Sequence, residues 1–167
     1  MPTYHATIDS PVGPLRLCGD GASLTRIDFV HGRKITPLPT DAVERPDAQP
    51  FAAAARQLAE YFAGERQTFD LPLAPQGTDF QQRVWQQLRL IPFGVTLSYG
   101  QIAQRLGQPT ASRAVGLANG NNPLSIVVPC HRVIGSDGAL TGFGGGLIIK
   151  KHLLDLEAPA GLFAASR

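Results

Sequence analysis

Residues 98–120 read Ser-Tyr-Gly-Gln-Ile-Ala-Gln-Arg-Leu-Gly-Gln-Pro-Thr-Ala-Ser-Arg-Ala-Val-Gly-Leu-Ala-Asn-Gly. Ser98 and Gln101 form a capping box, in which two side chains satisfy backbone N–H groups orphaned at a helix start. The helix so opened runs through Leu106, and Gly107 ends it. Thr110 can cap a following helix from Ala111 to about Asn119, stopped by Gly120. Two short helices joined by Gly107-Gln-Pro-Thr110 have the layout of a helix-turn-helix. The second helix carries Arg113 and otherwise small residues, whereas a major-groove reader offers long polar side chains. Small side chains suit close approach to a narrow minor groove, with phosphates held by backbone amides and no sequence preference. They suit packing against a neighbouring helix equally well, and these residues alone weigh the two readings evenly.

Upstream, Thr78 and Gln81 form a second capping box before a helix with Phe80, Val84, Trp85 and Leu88 on one face. It ends before Pro92. Downstream, a last helix spans Leu147 to Glu157, with Leu147, Ile148, Lys151, Leu154 and Leu156 spread over its faces, and 158–167 is expected to fray. Before Gly77 the apolar period shortens to two. Strands are expected over 3–9, 14–19 and 23–30, separated by Ser10-Pro-Val-Gly13 and Asp20-Gly21. Residues 31–49, with Pro37, Pro39 and Pro46, read as a loop. Pro50 starts a helix from Phe51 to Ala63 that Gly64 stops, and Phe69 to Leu73 reads as a final strand. Pro72, Pro75 and Gly77 mark a boundary. The expected fold is α+β: a small antiparallel sheet with a helix over 1–76, and a mainly helical unit over 77–167. No internal repeat is present.

The bulk composition excludes several classes. With 167 residues, 43% hydrophobic and 17% charged, the chain has the make-up of a soluble globular protein. No apolar run is long enough to span a bilayer, and Met1-Pro-Thr-Tyr-His has no signal-peptide pattern, so a cytoplasmic location is expected. Cys18 and Cys130 are the two cysteines, without paired Cys/His spacing, which argues against a disulfide scaffold or structural zinc. Cys18 reads as a small core or edge residue. Residues 1–76 carry a net charge of −2 and residues 77–167 a net of +4. That asymmetry is compatible with a polyanionic partner and equally with ordinary surface variation.

Within the basic half stands Pro129-Cys-His-Arg-Val133, between the apolar run Leu124–Val128 and the Gly-rich stretch 141–146. A free thiol has a pKa near about 8.5, so a nucleophilic Cys130 needs a nearby base or a positive field. His131 is the obvious base. Adjacent strand residues point to opposite faces, so contact requires a turn at Pro129-Cys130 or a bridging water. Asn122-Pro123 favours a turn whose Asn side chain holds nearby backbone. Glu157 is a candidate to orient His131, because an acid in a helix's last turn opposes the dipole and breaks a local rule. A Cys-His dipeptide is more often inert core, and a plain surface acid is the other reading of Glu157. Those alternatives stand beside the functional one.

Taken together, Pro-Cys-His-Arg-Val at 129–133, Arg-Ala-Val-Gly at 113–116, Asn122-Pro123, Ser98-Tyr-Gly100 and Gly145-Gly-Leu147 make the chain resemble the O6-alkylguanine-DNA alkyltransferases, or methylated-DNA–protein-cysteine methyltransferases. The resemblance covers essentially the whole length and is strongest from Gly77 to Glu157. It implies a ribonuclease-H-like N-terminal unit and a helix-turn-helix used in the minor groove of double-stranded DNA. By resemblance Cys130 is the permanent alkyl acceptor, His131 deprotonates it through a water, Glu157 orients the His and Asn122 braces the turn. Arg113 enters the base stack, Tyr99 rotates the phosphate and bonds the extruded base, and Ala114 and Gly116 line the DNA contact. Backbone groups of Cys130, Val133 and Gly144 hold the guanine edge.

Phe143 stands where some members have Tyr, keeping a ring but losing a hydroxyl. Gly144 stands where some have Ser. Zinc ligands of some relatives have no clear equivalents, so no metal and no cofactor are expected. The implied reaction is single-turnover removal of O6-alkyl groups, extended to O4-alkylthymine, by a monomer that can coat DNA cooperatively. Two rivals remain: a DNA-binding protein of related fold unable to transfer, and a turnover cysteine hydrolase using Cys130 and His131.

Overall fold

A computed structural model of the protein describes residues 2–33 and 35–158. β1 (Tyr4–Ile8), β2 (Leu15–Gly19), β3 (Leu24–Phe29) and β4 (Val43–Glu44) form one sheet in the order β3-β2-β1-β4. The three longer strands pair antiparallel, as their turns dictate. In the second turn Asp20 accepts from the backbone N–H of Ala22 at 2.9 Å and Ser23 at 2.7 Å, the local bonding that makes Asp a turn residue. Cys18 lies buried in β2. β4 emerges from the Pro-rich stretch read as a loop and pairs parallel to β1 through two register positions, Tyr4↔Val43 and His5↔Glu44.

The strand expected over Phe69 to Leu73 does not form; Leu73 makes a single bridge to Leu24. The Gln57 side chain occupies the backbone instead, donating to Asp70 O and accepting from Asp70 N, both at 2.9 Å. Pro72 has no donor to continue a ladder. Gln57 belongs to α1 (Phe51–Phe62), whose buried face is Phe51, Ala54, Gln57, Leu58 and Tyr61.

Four further helices follow: α2 (Asp79–Arg89), α3 (Tyr99–Arg105), α4 (Ser112–Gly120) and α5 (Leu147–Glu157). Both capping boxes form in full, at Thr78/Gln81 and Ser98/Gln101. Gly107, with φ +72°, closes α3 in the left-handed conformation that costs glycine least. α2 and α3 both pack on α4, and Trp85 Nε1 donates to Ala118 O at 2.8 Å inside that contact. The start of α4 differs from expectation. Ala111 is its N-cap, without a side-chain bond, and Ser112 its first residue. Ala111 N donates to Gln108 O, so Thr110 is spent inside the linking turn and caps nothing. Gly120 sits in the last helical turn, with Asn121 as C-cap.

One apolar core joins the two halves: Leu15, Leu17 and Ile27 of the sheet cluster with Val84, Leu88, Ile102, Val115 and Leu153 of the helices. The open edge of β3 is covered twice, by Leu24 N donating to Pro72 O at 2.8 Å and Ile27 N donating to Pro123 O at 2.9 Å. Covering an edge removes a pairing liability. Here it also docks the segment that leads to Cys130. Among the described residues no helix is long and apolar enough to cross a membrane.

Candidate active site

Residues 122–130 form a turn, with Leu124, Ile126 and Val128 all buried. Ile126 has φ +76°, an outlier for a β-branched residue that costs about 1–3 kcal/mol unless its surroundings enforce it. Asn122 does so. Its Oδ1 accepts from Leu124 N at 3.0 Å, and its Nδ2 donates to Val128 O at 2.8 Å, so one amide clasps both sides of the strained residue. Beyond Pro129 the chain makes one turn of 3-10 helix, Cys130–Arg132. That is the turn which the adjacency of Cys130 and His131 demands. We expect Asn122→Ala to lower unfolding free energy by about 1–3 kcal/mol, since the buried Leu124 N–H loses its partner and Val128 O keeps only the bond from Cys130 N. Urea denaturation measures it, and a loss under 0.5 kcal/mol (roughly the size of a neutral surface change) would deny the clasp.

Four donors converge on the Glu157 carboxylate at the end of α5. His131 Nε2 lies 2.6 Å and Tyr61 Oη 2.5 Å from Oε2. Arg132 Nε donates to Oε1 at 2.7 Å, and its Nη2 to Oε2 at 3.0 Å. Arg132 also donates to Ile91 O at 2.7 Å and lies over the Phe93 ring. Burial alone would raise the Glu157 carboxyl, but the His131 and Arg132 interactions overcome it and bring it down to about 2. Glu157 is therefore an anion, and the His131 nitrogen facing it carries the proton. Burial depresses the His131 pKa despite Glu157, so the ring is neutral near pH 7. Its other nitrogen, Nδ1, is buried and has no hydrogen-bond partner among the described residues. That lone pair is the available base.

Burial raises the Cys130 thiol, opposed by Asn122, the Lys150 charge and Ser125. Lys150 is wholly buried and donates to Val133 O and Thr141 O, each at 2.7 Å. Burial lowers its ammonium to about 8, with Cys130 opposing. A cleft of about 120 Å³ is lined by Phe29, Asn122, Ser125 and Gly144 among others, which sets open space beside two of the thiol's neighbours. Cys130 itself is only 4% exposed.

The remaining expected residues lie around this centre. Tyr99 is the first residue of α3, and its hydroxyl pairs with Thr141 Oγ1 at 2.7 Å. Gly116 faces the Tyr99 ring, where an added Cβ would sit 3.8 Å away. Arg113 and Ala114 are exposed on α4 beside Leu117, while Val115, Ala118 and Asn119 face inward. Small residues thus occupy both faces. Val133 opens β6 (Val133–Ile134), which pairs parallel to β5 (Leu97–Ser98) and ties the head of α3 to the cysteine turn. Its carbonyl already binds Lys150 and keeps one lone pair.

Phe143 is buried on Phe29, with ring centroids 5.5 Å apart, rather than standing free to cover a ligand. Gly145 permits that packing, because a Cβ there would lie 2.8 Å from both rings. Gly144 faces open space, so a Ser would fit. Among the described residues no group of three or more His, Cys, Asp or Glu could hold a metal.

Tyr61, Arg132 and Lys150 were not singled out by sequence. For Lys150 a signal existed: positions 150, 153, 154 and 157 form the i, i+3, i+4, i+7 stripe that α5 buries, with a charge at each end. The expected spread through Leu147 and Ile148 instead lies on its exposed side.

Residues 79–159 match the family model described as the 6-O-methylguanine DNA methyltransferase DNA binding domain. Residues 3–75 match that of the ribonuclease-like domain of 6-O-methylguanine DNA methyltransferase. The methylated-DNA–protein-cysteine methyltransferase of Mycobacterium tuberculosis (strain H37Rv) is 53% identical over 162 residues, covering 95% of this chain and 96% of that protein. Its Methanosarcina acetivorans counterpart is 52% identical over 154 residues, covering 92% and 97%. The crystal structure of Mycobacterium tuberculosis OGT in complex with DNA has a TM-score of 0.86 at 52% identity, covering 94% of this chain and 96% of that one. On matches that run through both halves, the chain belongs to the 6-O-methylguanine DNA methyltransferase family.

Proposed function

We propose that this protein removes alkyl groups from the O6 of guanine in double-stranded DNA by transferring them to its own Cys130, once per molecule. The observation that carries the reading is Cys130 at the head of a His131–Glu157 pair whose Nδ1 is free to accept a proton. The thiol proton leaves towards His131, the thiolate attacks the alkyl carbon, and the S–C bond forms as the C–O6 bond breaks. The electron pair goes to guanine, which takes up a proton. The thioether is stable, so the protein is consumed. The same displacement serves O4-alkylthymine. Asn122 fixes the turn, and the base edge is read by the Val133 carbonyl, which has a lone pair beyond its bond from Lys150, and by the Gly144 and Cys130 backbones, although the Cys130 N–H already donates to Val128 O.

The reactive carbon is inaccessible inside a duplex, and extruding a base costs a few kcal/mol (about the cost of unstacking). The exposed face of α4 suits close approach to the minor groove as a monomer, without sequence preference, and Arg113 is free to fill the space that the base leaves. In the free protein Cys130 and Phe143 are covered and the exposed Tyr99 hydroxyl is paired with Thr141, a partner that Tyr99 exchanges for DNA on binding. The test is peptide mass analysis after incubation with DNA carrying O6-methylguanine or O6-benzylguanine. One alkyl mass on the Cys130 peptide, at one equivalent per protein, is expected. An unmodified peptide eliminates transfer, and repeated turnover on esters or amides would favour a cysteine hydrolase.

Arg113→Ala is expected to slow repair of duplex substrate at least about tenfold, the loss of roughly one interaction of 1.4 kcal/mol, while transfer from free O6-benzylguanine stays unchanged. Equal duplex rates for the two proteins would remove Arg113 from the extrusion step.

A further inference from the structure

Tyr61 lies on α1, in the ribonuclease-like half, yet its hydroxyl reaches Glu157, 96 residues away. Its ring is fully buried, edge-on to Phe62 and Phe93 and tilted on Phe69. Those rings would be satisfied by phenylalanine. The hydroxyl is the informative part, because a buried phenol without an acceptor loses a hydrogen bond's worth of stability. Its acceptor is the carboxylate oxygen that also binds His131.

We propose that Tyr61 is a positioning residue of the alkyl-transfer site, by which the N-terminal half holds Glu157 in the orientation that presents His131 to Cys130. Resting on the function proposed above, this gives the ribonuclease-like half a part in the chemistry. Four residues from three elements meet at Oε2: Tyr61 from α1, Glu157 from α5, and His131 and Arg132 from the 3-10 turn. The hydroxyl draws charge off Oε2. Without it, the carboxylate holds more charge against His131 and loses one of its fixed points. His131 is faced by Glu157 and Lys150 from α5, by Arg132 from its own turn, and by Tyr61 through Glu157. Only the Tyr61 contribution is removed by Tyr61→Phe.

The sign follows. A stronger negative charge beside the imidazole favours its protonated form, so the His131 pKa rises in Tyr61→Phe, by roughly half a unit to one unit. The single-turnover rate needs neutral His131, so its acid limb moves to higher pH by the same amount. The plateau falls about three- to tenfold, because the base is less well held. The experiment compares wild type and Tyr61→Phe by burst transfer from O6-benzylguanine across pH and by NMR titration of the His131 ring. A thermal melt confirms that the variant is folded.

The expected result is a shifted acid limb, a shifted imidazole titration and a lower plateau. An unchanged titration overturns the proposal, whether the rate is unchanged or lowered, because a packing residue alone would not move a histidine. If wild type transfers nothing while the titration shifts, the alkyl-transfer reading fails and the Tyr61–Glu157–His131 coupling stands for another reaction of the same thiol.

Discussion

Cys130→Ala is expected to abolish transfer altogether, with no alkyl mass on any peptide and a rate at least about a thousandfold below wild type, as for loss of a nucleophile. The only other thiol, Cys18, cannot substitute. It is buried in β2, and burial raises its pKa. The fold should survive. Removing one buried sulfur costs on the order of 1 kcal/mol in transfer and cavity terms, and the Cys130 carbonyl keeps the hydrogen bonds it accepts from Val133 N and Asn119 Nδ2. Affinity for alkylated duplex should also persist, because Arg113 and the exposed side of α4 belong to a different element. Gel shift and peptide mass analysis on one preparation give both answers. Residual label on another residue would mean that Cys130 is not the acceptor, and lost DNA affinity would mean that binding and chemistry are not separable.

What the sequence reveals here is what local chemistry determines. Thr78/Gln81 and Ser98/Gln101 cap helices through bonds that span three residues, so both boxes are readable without tertiary knowledge. The bounds of α5, Leu147 to Glu157, fall where Gly146 and Ala158 leave helical geometry. Elements determined by distant partners were misjudged. Phe69 to Leu73 has strand composition, but Gln57 captures Asp70 from 13 residues away. β4 exists because β1 offers an edge, not because Val43-Glu44 favours a strand. Thr110 is an ideal cap by type, yet the turn through Gln108 and Ala111 places it outside the helix.

The candidate site divides in the same way. Cys130, His131, Asn122 and Arg113 stand in recognisable short motifs. Glu157 drew notice because it opposed its helix dipole, and the structure supplies the compensation, since Arg132, His131 and Tyr61 all point donors at it. Tyr61 itself carries no local sign of function. It occupies an apolar position of an amphipathic helix, where tyrosine is an ordinary core residue, and only the packing of the two halves brings it to Glu157. Phe143, the ring that stands where some members have Tyr, lies on Phe29, because Gly145 allows the rings to close.

Glu157→Gln should be the most destabilising conservative change in the protein. Glutamine matches glutamate in size but not in what it offers. Oε1 accepts one donor and Oε2 three, from Tyr61, His131 and Arg132. Whichever oxygen becomes NH2, it faces a donor, and the Arg132 guanidinium is left buried without a counter-ion. Breaking a buried pair in this way costs about 3–5 kcal/mol. The acid behaviour supplies an independent check.

Glu157 titrates near 2 in the folded protein, against about 4.3 in an unfolded chain. Its contribution, on the order of 3 kcal/mol, is therefore complete above about pH 4.3 and is lost as pH falls towards 2. His131 is depressed as well, so its contribution is present above its unfolded value of about 6.5 and starts to fall at higher pH than that of Glu157. Urea denaturation between pH 7 and pH 2.5 should show wild type losing stability in both windows. Glu157→Gln should start several kcal/mol lower (about the buried-pair figure above) and lack the fall that begins near pH 4. If the variant matches wild type at pH 7 and keeps the lower limb, Glu157 is not the anion on which the buried cluster depends, and His131 must be held by something else.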